Sequence, residues 1–488
     1  MKKLVALSCV AFLSTSIYAN ADMQAQIDAL KAQLEKMEAQ LAKTNKIQKK
    51  IKKKVSAVNK LANNDNLKFD VDFRTSYDNL NYKMASGTTF KNDALYSNRL
   101  WLGMGYAPID DLVFKGQLSF NKAFGADYGQ RGTGMGFDTF DWVINENLTD
   151  DTLKVREAYW LWTPTLGDRG YTFSVGRRPA TNGYLVNLRD DDKAKSPIGH
   201  VINMEFDGAS ASVKLGDVLP GMYAKICLGR GLTNAASWAN GATSYLAGTP
   251  ANARPNYIKV DGAVDTVDML GVIIKPYDDG QYSVMTKYYR GYNVPGLADS
   301  DGDRTPDALQ SRGDMDGAAF SVKVDGIGDE INDFLDETTV FASYAWSQTR
   351  PDADGAMLGS MDKQSGTSFW IGAQMPNMTG GKFGLEYNHG SKYWRPFTYG
   401  EDTMVGSKLA ARGDAYEAYW TQPLLGNIFS MQVRYTYIKY DYTGSNAFFA
   451  DAGAPMSMDD VRAAQSMGMN IDAVEKAQDL RVYFRYRY

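Results

Sequence analysis

The chain closes on DLRVYFRYRY, in which Leu480, Val482, Phe484, Tyr486 and Tyr488 fall on one face of a strand and Arg481, Arg485 and Arg487 on the other. A chain end in water gains nothing from that pattern, because termini fray unless something ties them down. An apolar phase is therefore expected to hold this one. The same period of two runs back to Leu67. It is clear at Phe69, Val71 and Phe73; at Leu100, Leu102, Met104 and Tyr106; at Leu112, Phe114, Leu118 and Phe120; and at Tyr171, Phe173 and Val175. Later instances are Leu270, Val272, Ile274; Tyr282, Val284, Tyr288; Phe320, Val322, Val324; Val340, Ala342, Tyr344, Trp346; Phe383, Leu385, Tyr387; and Phe429, Met431, Val433, Tyr435, Tyr437. Candidates near Ala158, Ala209, Ile226, Phe369 and Tyr416 alternate less sharply, so the pattern predicts about sixteen strands within a range of about fourteen to eighteen.

The connections carry independent information. Short ones such as APID, TPTLGDRG, GDVLPG, PYDDG, GIGDEINDFLDE, PNMTGG and PLLGN alternate with long gaps such as 121–152, 230–263 and 442–478. Short turns at one rim and long loops at the other are how single-chain transmembrane barrels are built. The expected fold class is all-β, a sixteen-stranded antiparallel transmembrane barrel over 67–488. An even strand count brings the last strand beside the first.

Ahead of the barrel, residues 1–21 have two lysines, an apolar stretch from Leu4 to Ile17 and the small-x-small sequence Ala19-Asn20-Ala21, which predicts a cleaved secretory signal. The apolar core is shorter than the roughly 20 residues that a bilayer-spanning helix needs. Residues 22–62 hold no Gly or Pro. They show a seven-residue repeat with Ile27, Leu34, Leu41 and Val55 at one core position and Met23, Leu30, Met37, Ile51 and Val58 at the other. A lone amphipathic helix is marginal in water, so this periplasmic coiled coil implies partner chains. The heptads do not fix the strand number, and a homotrimer is taken by analogy. The lysines from Lys43 to Lys54 form a basic run that would suit peptidoglycan or lipid phosphates, or would simply be a solvated helix face.

Composition agrees with export into a membrane. Loss of Lys2 and Lys3 with the signal leaves 51 basic residues against 57 acidic ones, with no polybasic stretch of the kind that binds nucleic acid outside the coil. Cys9 leaves with the signal and Cys227 then stands alone, so no intrachain disulfide forms. No run of apolar residues past the signal is long enough for a helical span, yet the chain holds 30 Tyr, 21 Phe, 9 Trp and 46 Gly. In a barrel, outward apolar and inward polar residues cancel in any average.

The layout resembles that of bacterial outer-membrane porins, and a coil followed by a barrel is especially similar to the phosphate-selective type. The tight motifs are the closing strand and the third outer loop. The resemblance implies the bacterial outer membrane, an oligomer surrounded by lipid, and a third outer loop folded into the lumen as a constriction. Here that loop is counted as residues 176–200, carrying Arg177, Arg178, Arg189, Lys193 and Lys195 beside Asp190, Asp191 and Asp192. Facing clusters of opposite charge in a narrow pore would sort solutes by charge; the alternative is an ordinary polar surface loop.

Strand parity gives a separate view of the lumen. If apolar residues face lipid, the inward side carries Arg74, Arg99, Lys115, Lys225, Lys287, Lys323, Arg434, Arg481, Arg485 and Arg487 against Asp70, Asp72 and Glu386. A cationic wall would favour anions. An outer loop, DSDGDRTPD, places Asp299, Asp301, Asp303 and Asp307 at a spacing that can surround Ca²⁺. Arg304 stands where the turn would want Gly and Gln310 where a bidentate acid belongs, so the competing view is a plain turn.

Enzymatic signatures are scarce. With only His200 and His389, a three-histidine metal site cannot form. GxSxG, HExxH and GxxxxGK[ST] do not occur. The expected function is a porin passing small hydrophilic solutes by diffusion, with anions preferred, no cofactor and no catalysis. The alternatives are a tether from outer membrane to cell wall through the coil, and a barrel-embedded Ser/His hydrolase.

Overall fold

A computed structural model of the chain describes residues 67–125, 152–235, 264–298, 308–328, 331–353, 355–398, 401–445 and 453–488, with residues 31, 148 and 259 singly. The chain divides into two units, Met1–Asn66 and Leu67–Tyr488. The signal of residues 1–21 and nearly all of the coil of 22–62 lie outside the described residues.

The second unit is a closed antiparallel barrel of sixteen long strands among the described residues. They are β1 (Leu67–Met84), β2 (Thr89–Ile109), β3 (Leu112–Ala123), β4 (Lys154–Trp162), β5 (Arg169–Ala180), β6 (Met204–Lys214), β7 (Tyr223–Leu232) and β8 (Val267–Asp278). The second half comprises β9 (Tyr282–Ala298), β10 (Ala308–Asp325), β11 (Thr339–Pro351), β12 (Ser365–Pro376), β13 (Lys382–Gly390), β14 (Gly413–Leu425), β15 (Phe429–Tyr440) and β16 (Val474–Arg487). Each pairs with its sequence neighbours, and β16 closes on β1 with Arg487 opposite Asp72 and Arg481 opposite Asp78. The weakly alternating segments near Ala158, Ala209, Ile226, Phe369 and Tyr416 are all strands, so the count of sixteen is borne out.

Closure removes every sheet edge, which is what a strand needs where no water is available to its backbone. Along β1 and β16 the alternation is strict. Phe69, Leu480 and Phe484 are exposed on the outside, whereas Asp72, Arg74, Asp78, Arg481 and Arg485 are buried inside. Aromatic rings gather at both rims: Trp162 on Phe173 and Phe429 on Phe484 at the turn end, and Phe369, Tyr387, Tyr416 and Tyr437 in sequence at the loop end. An apolar band between two aromatic girdles on a closed barrel is an outer-membrane architecture, and it places the chain in the bacterial outer membrane. No helix among the described residues is long and apolar enough to cross a membrane; the strands cross instead.

One outer connection departs from the short-and-long rule. β1 returns to β2 through residues 85–88, where Gly87 takes a positive φ of 89° and the Met84 amide donates to the Thr88 carbonyl at 2.8 Å. The third outer connection also begins later than expected. β5 continues through Ala180, so Arg177 and Arg178 belong to the wall and the loop proper is 181–203.

Candidate functional site

Among the described residues, loop 3 (181–203) and loop 7 (391–412) fold into the barrel. Loop 3 turns inward through residues with left-handed backbone, Asn182 at φ 50°, Leu185 at φ 79° and Asp191 at φ 53°. A leucine in that region is strained and persists only where its surroundings hold it; Leu185 is completely buried. A short parallel pair, Gly183–Tyr184 with Lys195–Ile198, ties the loop to itself. Loop 7 is pinned to loop 3 through its backbone, with the Phe397 amide donating to Val201 O at 3.0 Å and the Asn203 amide to Phe397 O at 2.7 Å.

The two loops divide the interior. On one side they pack apolar residues against the wall, with Leu185, Val201, Trp394 and Leu409 meeting Met285, Tyr289, Met315, Phe341 and Trp370 in a single cluster. Inward glycines make room for inward rings here. A Cβ at Gly317 would come within 2.4 Å of Tyr289, and one at Gly384 within 2.0 Å of Tyr419. Trp370 is wholly excluded from solvent although it sits on a lumen-facing strand.

The other side is a charge network centred on Asp402 of loop 7. Its carboxylate accepts from Arg74 Nη2 at 2.8 Å, Arg481 Nη1 at 3.3 Å and Arg99 Nη1 at 3.4 Å. Its carbonyl accepts from Arg434 Nη2 at 2.9 Å. Burial alone would raise this carboxyl's pKa, but Arg74, Arg481 and Arg99 together hold it well below the ordinary carboxylate range. Asp78 pairs with Arg481, and Asp72 accepts from Arg485 Nε at 2.9 Å. Arg189 of loop 3 reaches Glu417 at 3.3 Å and Glu401 at 3.5 Å, and Lys408 of loop 7 pairs with Glu386 at 2.7 Å and with Glu417.

The residues of the expected constriction are thus distributed. Arg189 and Asp190 are buried in the network, Asp190 accepting from Tyr483 Oη at 3.1 Å. Asp192 binds Arg485 and Arg487, each at 3.0 Å, and Asp191 makes a half-exposed pair with Lys382 at 2.6 Å. Lys193 is exposed. Lys195 pairs with Glu157 at 2.5 Å, and Arg177 with Glu205 at 3.0 Å. Arg178 stands apart, donating to the hydroxyls of Ser174 at 2.7 Å and Ser210 at 3.0 Å.

Parity turned the lining residues inward but missed what they meet. Arg74, Arg99, Arg434, Arg481 and Arg485 do not form a free cationic face, because the carboxylates of Asp72, Asp78 and Glu417 on the wall, Asp192 of loop 3 and Asp402 of loop 7 neutralise them. Lys323 pairs with Asp325, and Lys115 is exposed. Lys225 donates to Ser196 Oγ at 2.7 Å, and Lys287 is buried; neither has a carboxylate partner among the described residues. The calcium candidates Asp299, Asp301, Asp303 and Asp307 lie outside the described residues.

Sequence reasoning passed over loop 7 altogether. The available signal was its apolar content, Trp394, Phe397 and Leu409, in a gap that would otherwise face water. His200 is sealed in the apolar side, its ring nitrogens 2.8 Å from Ser343 Oγ and 2.9 Å from Ser368 Oγ, and burial pushes its pKa down to about 3. His389 lies 2.9 Å from Asp414, half-exposed, with its ring on Phe369 of the loop-end girdle.

Comparison with solved structures finds barrels of similar plan. Salmonella typhi OmpF in complex with daunomycin is 13% identical over 87% of this chain and 99% of that one, with a TM-score of 0.45. An anion-selective porin from Comamonas acidovorans is 11% identical over 86% and 99%, TM-score 0.45. Pseudomonas putida OprB is 10% identical over 87% and 94%, TM-score 0.45. No curated protein sequence matches the chain. A family model described as "Protein of unknown function (DUF3373)" matches residues 89–488, from β2 to the closing residue, and the chain belongs to that family.

Proposed function

We propose that this protein is an outer-membrane channel for small hydrophilic solutes, narrowed by loops 3 and 7, that prefers anions and catalyses no reaction. The observation that carries the proposal is the uneven charge pairing inside a closed barrel. The arginines of β1, β2, β15 and β16 are neutralised by carboxylates, whereas among the described residues Arg178, Lys225 and Lys287 on β5, β7 and β9 meet only hydroxyls and ring faces. Cations left without counter-ions in a low-dielectric passage attract permeating anions. The anion preference therefore rests on three residues and not on the whole wall. A homotrimer is part of the same proposal and is checked by the mass of the detergent-solubilised complex.

The test is the reversal potential in a KCl gradient across a planar bilayer. The expected sign is that of anion selectivity, moving toward zero in Lys225→Gln/Lys287→Gln. A cation-selective wild type would end the anion preference.

A further inference from the structure

We propose that the pocket between loop 3 and the inner face of β5 to β9 is a binding site for a small organic anion, a single carboxylate on an apolar body. The channel reading supplies the ligand's route; the binding itself stands on the pocket.

The pocket is a cavity of about 90 Å³, open at its mouth, and its lining combines three cations with an apolar floor that includes Ile202, Phe206, Met269 and Ile273. Lys287 is 6% exposed, and its ammonium lies 5.8 Å from the centre of the Tyr289 ring. Lys225 and Arg178 are oriented by serine hydroxyls, and the Arg178 guanidinium lies 4.8 Å from the centre of the Tyr159 ring. Hydroxyls and rings orient a cation but do not neutralise it. Burying a cation without a counter-ion is costly, and across the lumen the same chain supplies carboxylates to its arginines. Here no carboxylate among the described residues meets the three cations, and the cavity occupies that place.

The lining also selects the class of anion. A phosphate would turn oxygens toward Phe206, Met269 and Ile273 with no donors to meet them, whereas an apolar body gains by leaving water there. A Cβ at Gly271 would find its nearest neighbour 3.7 Å away, so packing does not demand a glycine at this lining position.

Equilibrium dialysis of radiolabelled benzoate against the purified barrel in detergent tests the site. Wild type is expected to bind saturably, about one benzoate per chain, with competition by unlabelled benzoate but not by benzamide or inorganic phosphate. Lys287→Met is expected to weaken binding about tenfold or more, and Lys225→Met in the same direction, each variant keeping the heat-modifiable gel mobility of a folded barrel. Cys227 lines the pocket, so in a Cys9→Ser background bound benzoate should slow its alkylation by iodoacetamide. Absence of saturable binding, equal competition by benzamide or phosphate, or undiminished binding by folded Lys287→Met overturns the proposal. Because dialysis needs no current, failure here leaves the reversal potential standing, and a non-conducting barrel that still binds benzoate would sink the channel reading alone.

Discussion

The two sides of the lumen solve the same problem with different physics. Around Trp370 and Tyr289 the space inside the wall is filled by apolar packing, which is non-directional and sensitive to volume. Around Asp402 it is filled by paired charges, which are directional and sensitive to the loss of either partner. The first side behaves like the core of a soluble domain placed inside a barrel. The second is a latch, in which one loop residue, Asp402, gathers arginines from four wall strands, three through its carboxylate and one through its carbonyl. Loops 3 and 7 take part in both, so each side holds the other in place, and the unneutralised lysines lie where the latch does not reach.

The comparison breaks most visibly on the packed side. Trp370→Ala is expected to cost about 3–5 kcal/mol in the urea-induced unfolding of the lipid-reconstituted barrel, the range for removing a buried Trp from a close-packed site. Asp402→Asn should cost about 3 kcal/mol, near the lower end for breaking a buried ion pair, because the amide still accepts hydrogen bonds while the arginines lose their counter-ion. It should also raise single-channel conductance, because loop 7 loses its hold on the wall. Equal conductance would mean that the latch is not what positions the loop.

Acid sharpens the contrast, because two loop groups respond to it differently. The folded pKa of His200 is about 3 against an ordinary 6.5. Between those values the unfolded chain binds a proton that the folded barrel excludes, so stability falls as pH is lowered through that window, by about 1.4 kcal/mol per pH unit. His200→Asn should remove this slope from unfolding midpoints measured between neutral and acidic pH. Asp402 adds to the slope only at the acid end of that window, below the ordinary carboxylate value of 3.8. Its folded pKa is depressed, so its stabilisation is fully present above the ordinary carboxylate value and is lost only as pH falls toward the lowered one. The smallest effect belongs to Arg230 and Asp268, a pair 56% and 42% exposed at 2.7 Å. Arg230→Ala should change stability by less than about 1 kcal/mol.

The same contrast explains what was legible in the sequence. Hydrocarbon outside the wall enforces strict alternation, so β16 could be placed and faced from DLRVYFRYRY, and the even strand count closed it against β1. Strand β14, GDAYEAYWTQPLL, was weaker because Asp414 and Ala418 share its outward face with Tyr416 while Tyr419 turns inward. The charge network was invisible to periodicity, since Arg74 and Asp402 are 328 residues apart and meet only because loop 7 bends inward. Parity says which way a side chain points but not what waits there, and for this reason a paired wall was expected to be a cationic one. The third loop drew attention through its charges; the seventh, with Trp394 and Phe397, signalled only by being too apolar for a loop in water.

Liposome swelling with neutral sugars of increasing size tests most directly whether loops 3 and 7 narrow this barrel from within. If they do, wild-type protein passes monosaccharides and excludes larger oligosaccharides that Asp402→Ala admits. Equal passage of the whole series by wild type and variant would show a lumen that these loops do not control.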